Sequence, residues 1–494
     1  MSGSSSATVR TSLLWSAFDT WGREFTGFVV FLILARILHP EAFGLLALAS
    51  VAVSVGQLVS NLGIGTAIVQ RQDLEPQHLE ASFWMSLIVG GTLAVAAQFV
   101  ATPIARLYGE PVLADMIRWL GLHFVLTPVA ATHEALLHRT MAFRSLALRS
   151  NFSVILGGVV GVSMALLGYG VWSLVGQSLA AAAVGVVVVW LAYDWRPTRI
   201  GFTGRHARDL LSFGAPVLGA NVVGRINQHA APAIIGYVLG TTAVGYYAIA
   251  YRAVSILLQL ITVISTRVAL PVFSRLQHDA GRLRDAFYAA TQWTSVIAFP
   301  AFVGLAAVSI NLIAVLFGAT WEASGPIASI LALIGVVHSV AFFNGTVMVA
   351  LGRPGLRLAI LCVHTVANVS LFFLVTPYGV EYAALAYVLR AYMLTPLDVW
   401  ALRSVVGLDV RRYLAGFLPP ALAAASMAIV VLGVGHIAST LQLLPVGVLV
   451  CQVVAGAVSY VVILRWLSPN LFEQALRMVH GGAAPLDSAA KELS

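Results

Sequence analysis

The sequence predicts an all-α polytopic membrane protein of about fourteen transmembrane helices, and three observations carry that prediction. Only 10% of the 494 residues are charged and 59% are hydrophobic, with a mean hydropathy of +0.90, the balance of a chain whose solvent is lipid. Apolar runs of about 20 residues, the length a helix needs to cross a bilayer, recur through nearly the whole chain. Arginines cluster on every second connection between those runs, which is the asymmetry that orients a chain in a membrane.

Bounded by charges, Gly or Pro, the spans are expected near 13–35, 43–66, 82–104, 113–136, 151–168, 171–193, 210–235, 243–265, 287–308, 324–350, 357–376, 381–400, 413–435 and 443–466. The longest connections, around 194–209 and 266–286, are too short to fold alone. Residues 1–12 read as a disordered cytoplasmic tail rather than a cleavable signal, because the apolar run that follows is long, internally charged and has no small-residue cleavage site. Odd-numbered connections hold little charge, with Arg36 and Arg106 on the first two. Even-numbered ones hold Arg139, Arg144 and Arg149, then Arg196, Arg199, Arg205 and Arg208, then Arg267, Arg275, Arg282 and Arg284. The even-numbered connections and both tails are therefore expected on the cytoplasmic side of the membrane. The net charge of +8 comes almost wholly from these loop arginines, with Lys491 the only lysine, so topology accounts for it and nucleic acid does not. Cys362 and Cys451 lie in apolar runs without metal-like spacing and read as small core hydrophobes.

An internal repeat divides the chain. Residues 34–49 align on 235–250 with a shift of about 201, matching Leu38 to Leu239, Gly44 to Gly245, Ala47 to Ala248 and Ala49 to Ala250. An even number of spans before the repeat makes its copies parallel, related by an axis along the membrane normal. The expected organisation is a lobe of helices 1–6 over 13–193 and a basic cytoplasmic linker over 194–209. A lobe of helices 7–12 over 210–400, two further helices within 401–467 and a cytoplasmic tail over 468–494 follow.

Polar residues inside spans are the candidates for function, since each is expensive in hydrocarbon. Span one carries Asp19, Arg23 and Glu24. Asp19 and Arg23 are spaced i,i+4, so mutual neutralisation competes with a role facing a cavity. Gln57 and Asn61 share a face of span two with Ser50 and Ser54; span seven adds Asn221, Arg225, Gln228 and His229 between Pro216 and Pro232; span eight adds Arg252 and Gln259. Faces from both lobes, equivalent under the repeat, are expected to converge on a central cleft, although Ser, Gln and Asn also serve as plain helix glue. Arg225, Arg252 and Arg390 have no obvious acidic neighbour on their own helices. With Arg23 they would make the cleft cationic, suited to an anionic and phosphate-bearing substrate because guanidinium forks match phosphate. Asp19 and Glu24 are the candidates for a coupling ion, H+ or Na+.

Other signals fail on geometry. His133-Glu134 and His138 resemble a zinc-protease HExxH, but five residues separate the histidines instead of four, turning them roughly 140° apart on a helix. No metal is expected there, and Glu134 with His138 reads as a pair at a helix end. His364 and Asn368 share a face and could line the second lobe, although His364 reads rather as a satisfied core histidine, while Gly157 and Gly161 suit a close helix contact. No P-loop, Gly-rich dinucleotide loop or nucleophile elbow appears, so no cofactor is expected and energy comes from an ion or substrate gradient.

The opening Trp15-Ser16-Ala17, the segments at 34–49, 58–72 and 246–256, and the block at 267–279 resemble Wzx-type lipid-linked oligosaccharide flippases. Within these the match is to the colanic-acid-like branch of the polysaccharide transporter family, in the multidrug/oligosaccharidyl-lipid/polysaccharide (MOP) superfamily. The resemblance implies fourteen helices in two lobes and alternating access. It implies as cargo an undecaprenyl-pyrophosphate-linked repeat unit, moved from the cytoplasmic to the periplasmic leaflet of a bacterial inner membrane for exopolysaccharide or capsule assembly, with polymerase or export machinery as possible partners. The charged cluster of span one departs from that branch, where this depth is expected to be largely apolar. Two alternatives stay open: a multidrug exporter on the same scaffold, which would want an acid-rich cavity, and a membrane polymerase or ligase, which would want a larger outside loop. A lipid scramblase is a further one.

Overall fold

A computed structural model describes residues 3–60, 65, 68, 69, 73–198, 204–276 and 279–479, and among these it holds helices, short turns and no strand. Two compact units divide the chain, Met1–Gly245 and Tyr246–Ser494.

The first unit opens with α1 (Gly3–Ile37) and α2 (Pro40–Ser60). The tail expected over residues 1–12 is helical from Gly3, continuing α1 beyond the apolar run. The helix α3 (Pro76–Tyr108) starts with Pro76, whose missing N–H is no loss at a first helical position. It stops at Gly109, where φ of +70° is open to a residue without Cβ. The fourth expected span, 113–136, is broken into α4 (Pro111–Leu120) and α5 (His123–Arg139); at the break Gly121 packs so near α3 that a Cβ would lie 3.1 Å from that of Ala97. Next come α6 (Phe143–Leu166) and α7 (Trp172–Ala192). Gly157 and Gly161 let these two helices meet closely: a Cβ on Gly157 would stand 2.8 Å from the Gln177 carbonyl oxygen and one on Gly161 2.7 Å from Gln177 Cβ. The unit closes with α8 (Gly204–Leu239), unbroken through Pro216 and Pro232, and the start of α9 (Thr241–Arg275).

Residues 194–198 of the expected linker are tied down. The Thr198 N–H and hydroxyl donate to Glu80 Oε1 at 3.0 and 3.2 Å, the His133 ring bonds the Trp195 carbonyl at 3.0 Å, and Arg196 donates to the Trp190 and Tyr193 carbonyls. His133 stacks on Trp190 at 4.8 Å, so an aromatic and polar plug holds the strap against α3 and α5.

The second unit contains the rest of α9, then α10 (Ala280–Phe317), α11 (Ser324–Ala332), α12 (Ile334–Ala350), α13 (Pro354–Val375), α14 (Val380–Val406), α15 (Val410–Thr440), α16 (Pro445–Leu467) and α17 (Pro469–Val479). Its core joins Phe273, Phe287, Phe299 and Phe343 to Tyr413, Phe417, Met427 and Tyr460. Thus α15 and α16 are built into the core, with the Tyr460 hydroxyl donating to the Val296 carbonyl at 2.8 Å and Asn311 to Gln452 Oε1 at 2.8 Å. The tail expected over 468–494 begins as helix α17, and residues beyond 479 lie outside the described ones.

Ten helical stretches among the described residues are long and apolar enough to cross a membrane. Large apolar side chains stand outward, among them Phe99, Leu191, Met393 and Ile429, each at least 74% exposed, as a lipid-facing surface requires. Four further helices have the length but fall outside those ten: α1, α8, α9 and α14. They are the ones that carry Asp19, Arg23, Glu24, Arg225, Arg252, Arg390 and Asp398. Cys362 is half-buried and Cys451 is exposed, so the latter is a surface residue and not a core one.

Candidate functional site

In the first unit the charge pairing differs from the i,i+4 expectation. Arg23 Nη2 lies 3.4 Å from Glu24 Oε1, while Asp19 is half-buried with its Oδ1 enclosed and without a hydrogen-bond partner. Packing explains the geometry. Gly22 is the point where α1 presses on Asn151 of α6, and Arg144 of α6 covers the Trp15 ring at 5.8 Å. Gln57 is half-buried on α2, and Ser54 spends its hydroxyl on the Val51 carbonyl of its own helix at 2.8 Å. Asn61 and the Asn221 side chain lie outside the described residues. On α8, Arg225 and Gln228 are exposed and His229, one turn beyond Arg225, is half-buried with Nε2 enclosed and unpartnered. Among the described residues no carboxylate stands in ion-pair distance of Arg225.

The second unit assembles a polar cluster where α9, α12, α13 and α14 meet. Arg252 is half-buried on α9, its carbonyl accepting from Ser255 at 2.9 Å, and Gln259 is exposed. Arg390 is only 5% exposed. Its Nη1 donates to both Nδ1 and the carbonyl oxygen of His364, each at 3.3 Å, and its guanidinium sits over the Tyr387 ring at 5.2 Å. The other imidazole nitrogen, His364 Nε2, faces Asp398 Oδ1 at 3.4 Å. A nitrogen that accepts from guanidinium carries no proton, so the network assigns the imidazole proton to Nε2, which donates towards the carboxylate. Arg390, His364 and Asp398 thereby form a relay of one cation, one neutral ring and one anion.

The sequence concealed this relay because the anion is eight residues beyond Arg390 on the same helix. A rise of about 12 Å separates them, too far for direct contact, and His364 from α13 spans the gap. A helical period still leaves the two on neighbouring faces, roughly 80° apart; that was the available signal. His364 is a satisfied histidine, as the sequence suggested, but with two charged partners. His338 of α12 packs edge-on to Tyr387 at 6.5 Å, Tyr387 stacks on Phe372 at 5.9 Å, and Tyr247 of α9, stacked on Tyr251 at 6.1 Å, lies within electrostatic reach of Arg390.

Asp398 also lines a cavity of about 560 Å³ between α10, α12, α14 and α15, a size typical of small-molecule sites. Its walls are mainly apolar, including Val336, Val340, Val399, Leu414 and Phe417, with Asn344, Thr395, Asp398 and Arg403 as polar points.

The resemblance to a zinc-protease motif dissolves in the fold. His133 is buried and bonded to Trp195, His138 is exposed, and Glu134 pairs with Arg149 of α6 instead of His138. No group of three His, Cys, Asp or Glu suited to a metal occurs among the described residues.

Residues 33–326, more than half of the chain, match the family model described as polysaccharide biosynthesis protein. The chain is 32% identical to the succinoglycan biosynthesis transport protein ExoT of Rhizobium meliloti (strain 1021), over 66% of each chain. It is 28% identical to the teichuronic acid biosynthesis protein TuaB of Bacillus subtilis (strain 168), over 85% of this chain and 88% of that one. With the lipopolysaccharide biosynthesis protein WzxC of Escherichia coli (strain K12) it shares 27% identity over 69% of each. Among solved structures, the fold matches the lipid II flippase MurJ with a TM-score of 0.75 at 14% identity, covering 93% of this chain and 99% of that one. A multidrug resistance MATE family transporter of the MOP superfamily matches with a TM-score of 0.63 at 15% identity, covering 79% and 98%. The chain is a polytopic all-α membrane transporter, and it belongs to the polysaccharide biosynthesis protein family.

Proposed function

We propose that this protein flips an undecaprenyl-pyrophosphate-linked oligosaccharide repeat unit from the cytoplasmic to the periplasmic leaflet, by alternating access coupled to H+ or Na+. The flippase reading rests on family membership and on relatives that bear transport names. The observation that carries the chemistry is Arg225, a guanidinium exposed on a long membrane helix with no carboxylate in ion-pair distance among the described residues. A membrane helix keeps such a charge only where it meets water, another polar group or a charged ligand. An anionic headgroup satisfies it, and the planar fork of arginine suits phosphate oxygens better than an ammonium does. Arg23 and Arg252 are the further candidates for this contact. Arg390 is less suited, because its buried guanidinium is already engaged by His364. The polyprenyl tail stays in lipid, which the outward apolar faces of the helices accommodate. Both termini lie in the cytoplasm and the host membrane is the bacterial inner membrane, as the arginine asymmetry of the connections supports.

The test is a strain lacking the gene. Lipid-linked repeat units are expected to accumulate with their sugars on the cytoplasmic leaflet. The wild-type gene is expected to restore export, whereas Arg225→Ala restores at most about a tenth of it, the loss of one charged contact of roughly 1.5 kcal/mol. Units found outside but unpolymerised would instead assign the protein to polymer joining, and full rescue by Arg225→Ala would remove this arginine from the cargo site.

A further inference from the structure

We infer that Asp398 is the residue that takes up the coupling proton, and that His364 passes its charge state on to Arg390. This rests on the ion-coupled transport reading and gives it a site, distinct from Asp19 and Glu24 of α1. Arg390 is 5% exposed within a membrane helix, where a lone cation is not sustainable and must have a counter-charge. The charged and titratable groups around the relay can be taken element by element. Helix α9 brings Tyr247 and Tyr251, α12 brings His338, α13 brings His364, α15 brings Tyr413, and α14 itself adds Tyr387 and Arg403. Helix α11, which also packs on α14, has no ionisable residue. Asp398 is therefore the one carboxylate facing Arg390 among the described residues.

That carboxylate is also the relay member that opens to space. Its side chain lines the cavity of about 560 Å³, where Asn344 Oδ1 is enclosed without a hydrogen-bond partner. Asn344, Thr395 and Arg403 supply the polar partners that water needs in an otherwise apolar chamber. A proton delivered by that water joins an Asp398 carboxylate oxygen and raises the charge of the site by one. His364 Nε2–H then faces a neutral acid instead of an anion, and the compensation of Arg390 is lost. Arg390 Nε is already enclosed and unpartnered, so the guanidinium is free to exchange His364 for another acceptor. The contact it gives up is one of the polar links between α13 and α14, beside that of His364 to Asp398. Proton uptake at Asp398 is thus written directly into the packing of two membrane helices, which is the kind of two-state element that alternating access requires.

The test uses the full-length protein in lipid vesicles and a lipid-soluble carbodiimide, which reacts with protonated carboxyls in apolar surroundings, with the modified residue read by peptide mass spectrometry. Labelling of the Asp398 peptide is expected to rise at least several-fold on acidification, and to exceed that of Asp19 and Glu24. In a parallel flipping assay with a fluorescent polyprenyl-pyrophosphate saccharide, an imposed proton gradient is expected to accelerate wild type and to leave Asp398→Asn unaccelerated. His364→Gln is expected to keep the labelling but lose the acceleration, as befits a positioning residue. Labelling confined to Asp19 or Glu24, no acid-dependent labelling at Asp398, or an undiminished gradient effect in Asp398→Asn would each overturn the inference. Wild-type vesicles that label at Asp398 yet flip nothing would instead refute the transport reading while leaving the protonation site standing.

Discussion

Two adjacent glycines show how finely single residues are placed. Gly90 of α3 faces α5, where a Cβ would stand 1.9 Å from the Phe124 carbonyl oxygen, a backbone atom that cannot swing aside; Gly91 has open space within 4 Å. Gly90→Ala is therefore expected to destabilise by about 1–3 kcal/mol, the usual range for overpacking. Gly91→Ala is expected to be neutral or to stabilise by about 0.5–1 kcal/mol, the helix-interior penalty of glycine. Thermal midpoints of the two variants in the same detergent check this, and equal midpoints would contradict the packing. Nothing in the letters of two consecutive glycines tells them apart, since the distinction lies in which face meets α5. The same limit applied to Asp398. Its residue type was visible in the sequence and its partner was not, because the link to Arg390 runs through a histidine from another helix. Asp19, Arg23 and Glu24 were legible as a cluster from spacing alone, but their pairing was not, since Arg23 meets the adjacent Glu24 instead of the i,i+4 partner.

Elements were read more securely than their ends. Apolar runs and Gly or Pro punctuation located nearly every long helix, because a bilayer leaves the backbone no other way to satisfy its polar groups. Connections fared differently. Residues 194–198 look like a basic linker in sequence, yet the described part is a strap fixed by Glu80, His133 and Trp190. The two bonds to Glu80 both come from Thr198, far along the chain, and a charge-assisted bond of this kind is worth about 1.5–3 kcal/mol. Glu80→Ala is expected to release the strap, with chymotryptic cleavage after Trp195 rising about tenfold if about 1.4 kcal/mol of local stability is lost. An unchanged cleavage rate would show that the bonds of His133 to Trp195 and of Arg196 to Trp190 hold it without Glu80.

For the whole molecule, the repeat read from residues 34–49 and 235–250 meets itself inside the first unit. A Cβ on Gly44 would lie 1.8 Å from the Thr241 carbonyl oxygen, and one on Gly245 would lie 2.0 Å from that of Pro40. Under the shift of 201 these two contacts exchange, as two copies of one motif do when they meet about a local two-fold axis. The glycines at matched positions are there because the helix ends approach backbone to backbone. Composition, repeat and arginine asymmetry bear on the architecture; they are silent on cargo. The central claim is that the chain carries a lipid-linked saccharide across the bilayer. The measurement that reaches it most directly is reconstitution of the purified protein in vesicles holding a fluorescent polyprenyl-pyrophosphate saccharide. The fraction of sugar open to a membrane-impermeant reagent is then followed in time. The account predicts protein-dependent exposure of sugar initially shielded in the inner leaflet, slowed several-fold in Arg225→Ala. Shielded sugar that stays shielded, with or without an ion gradient, would contradict it.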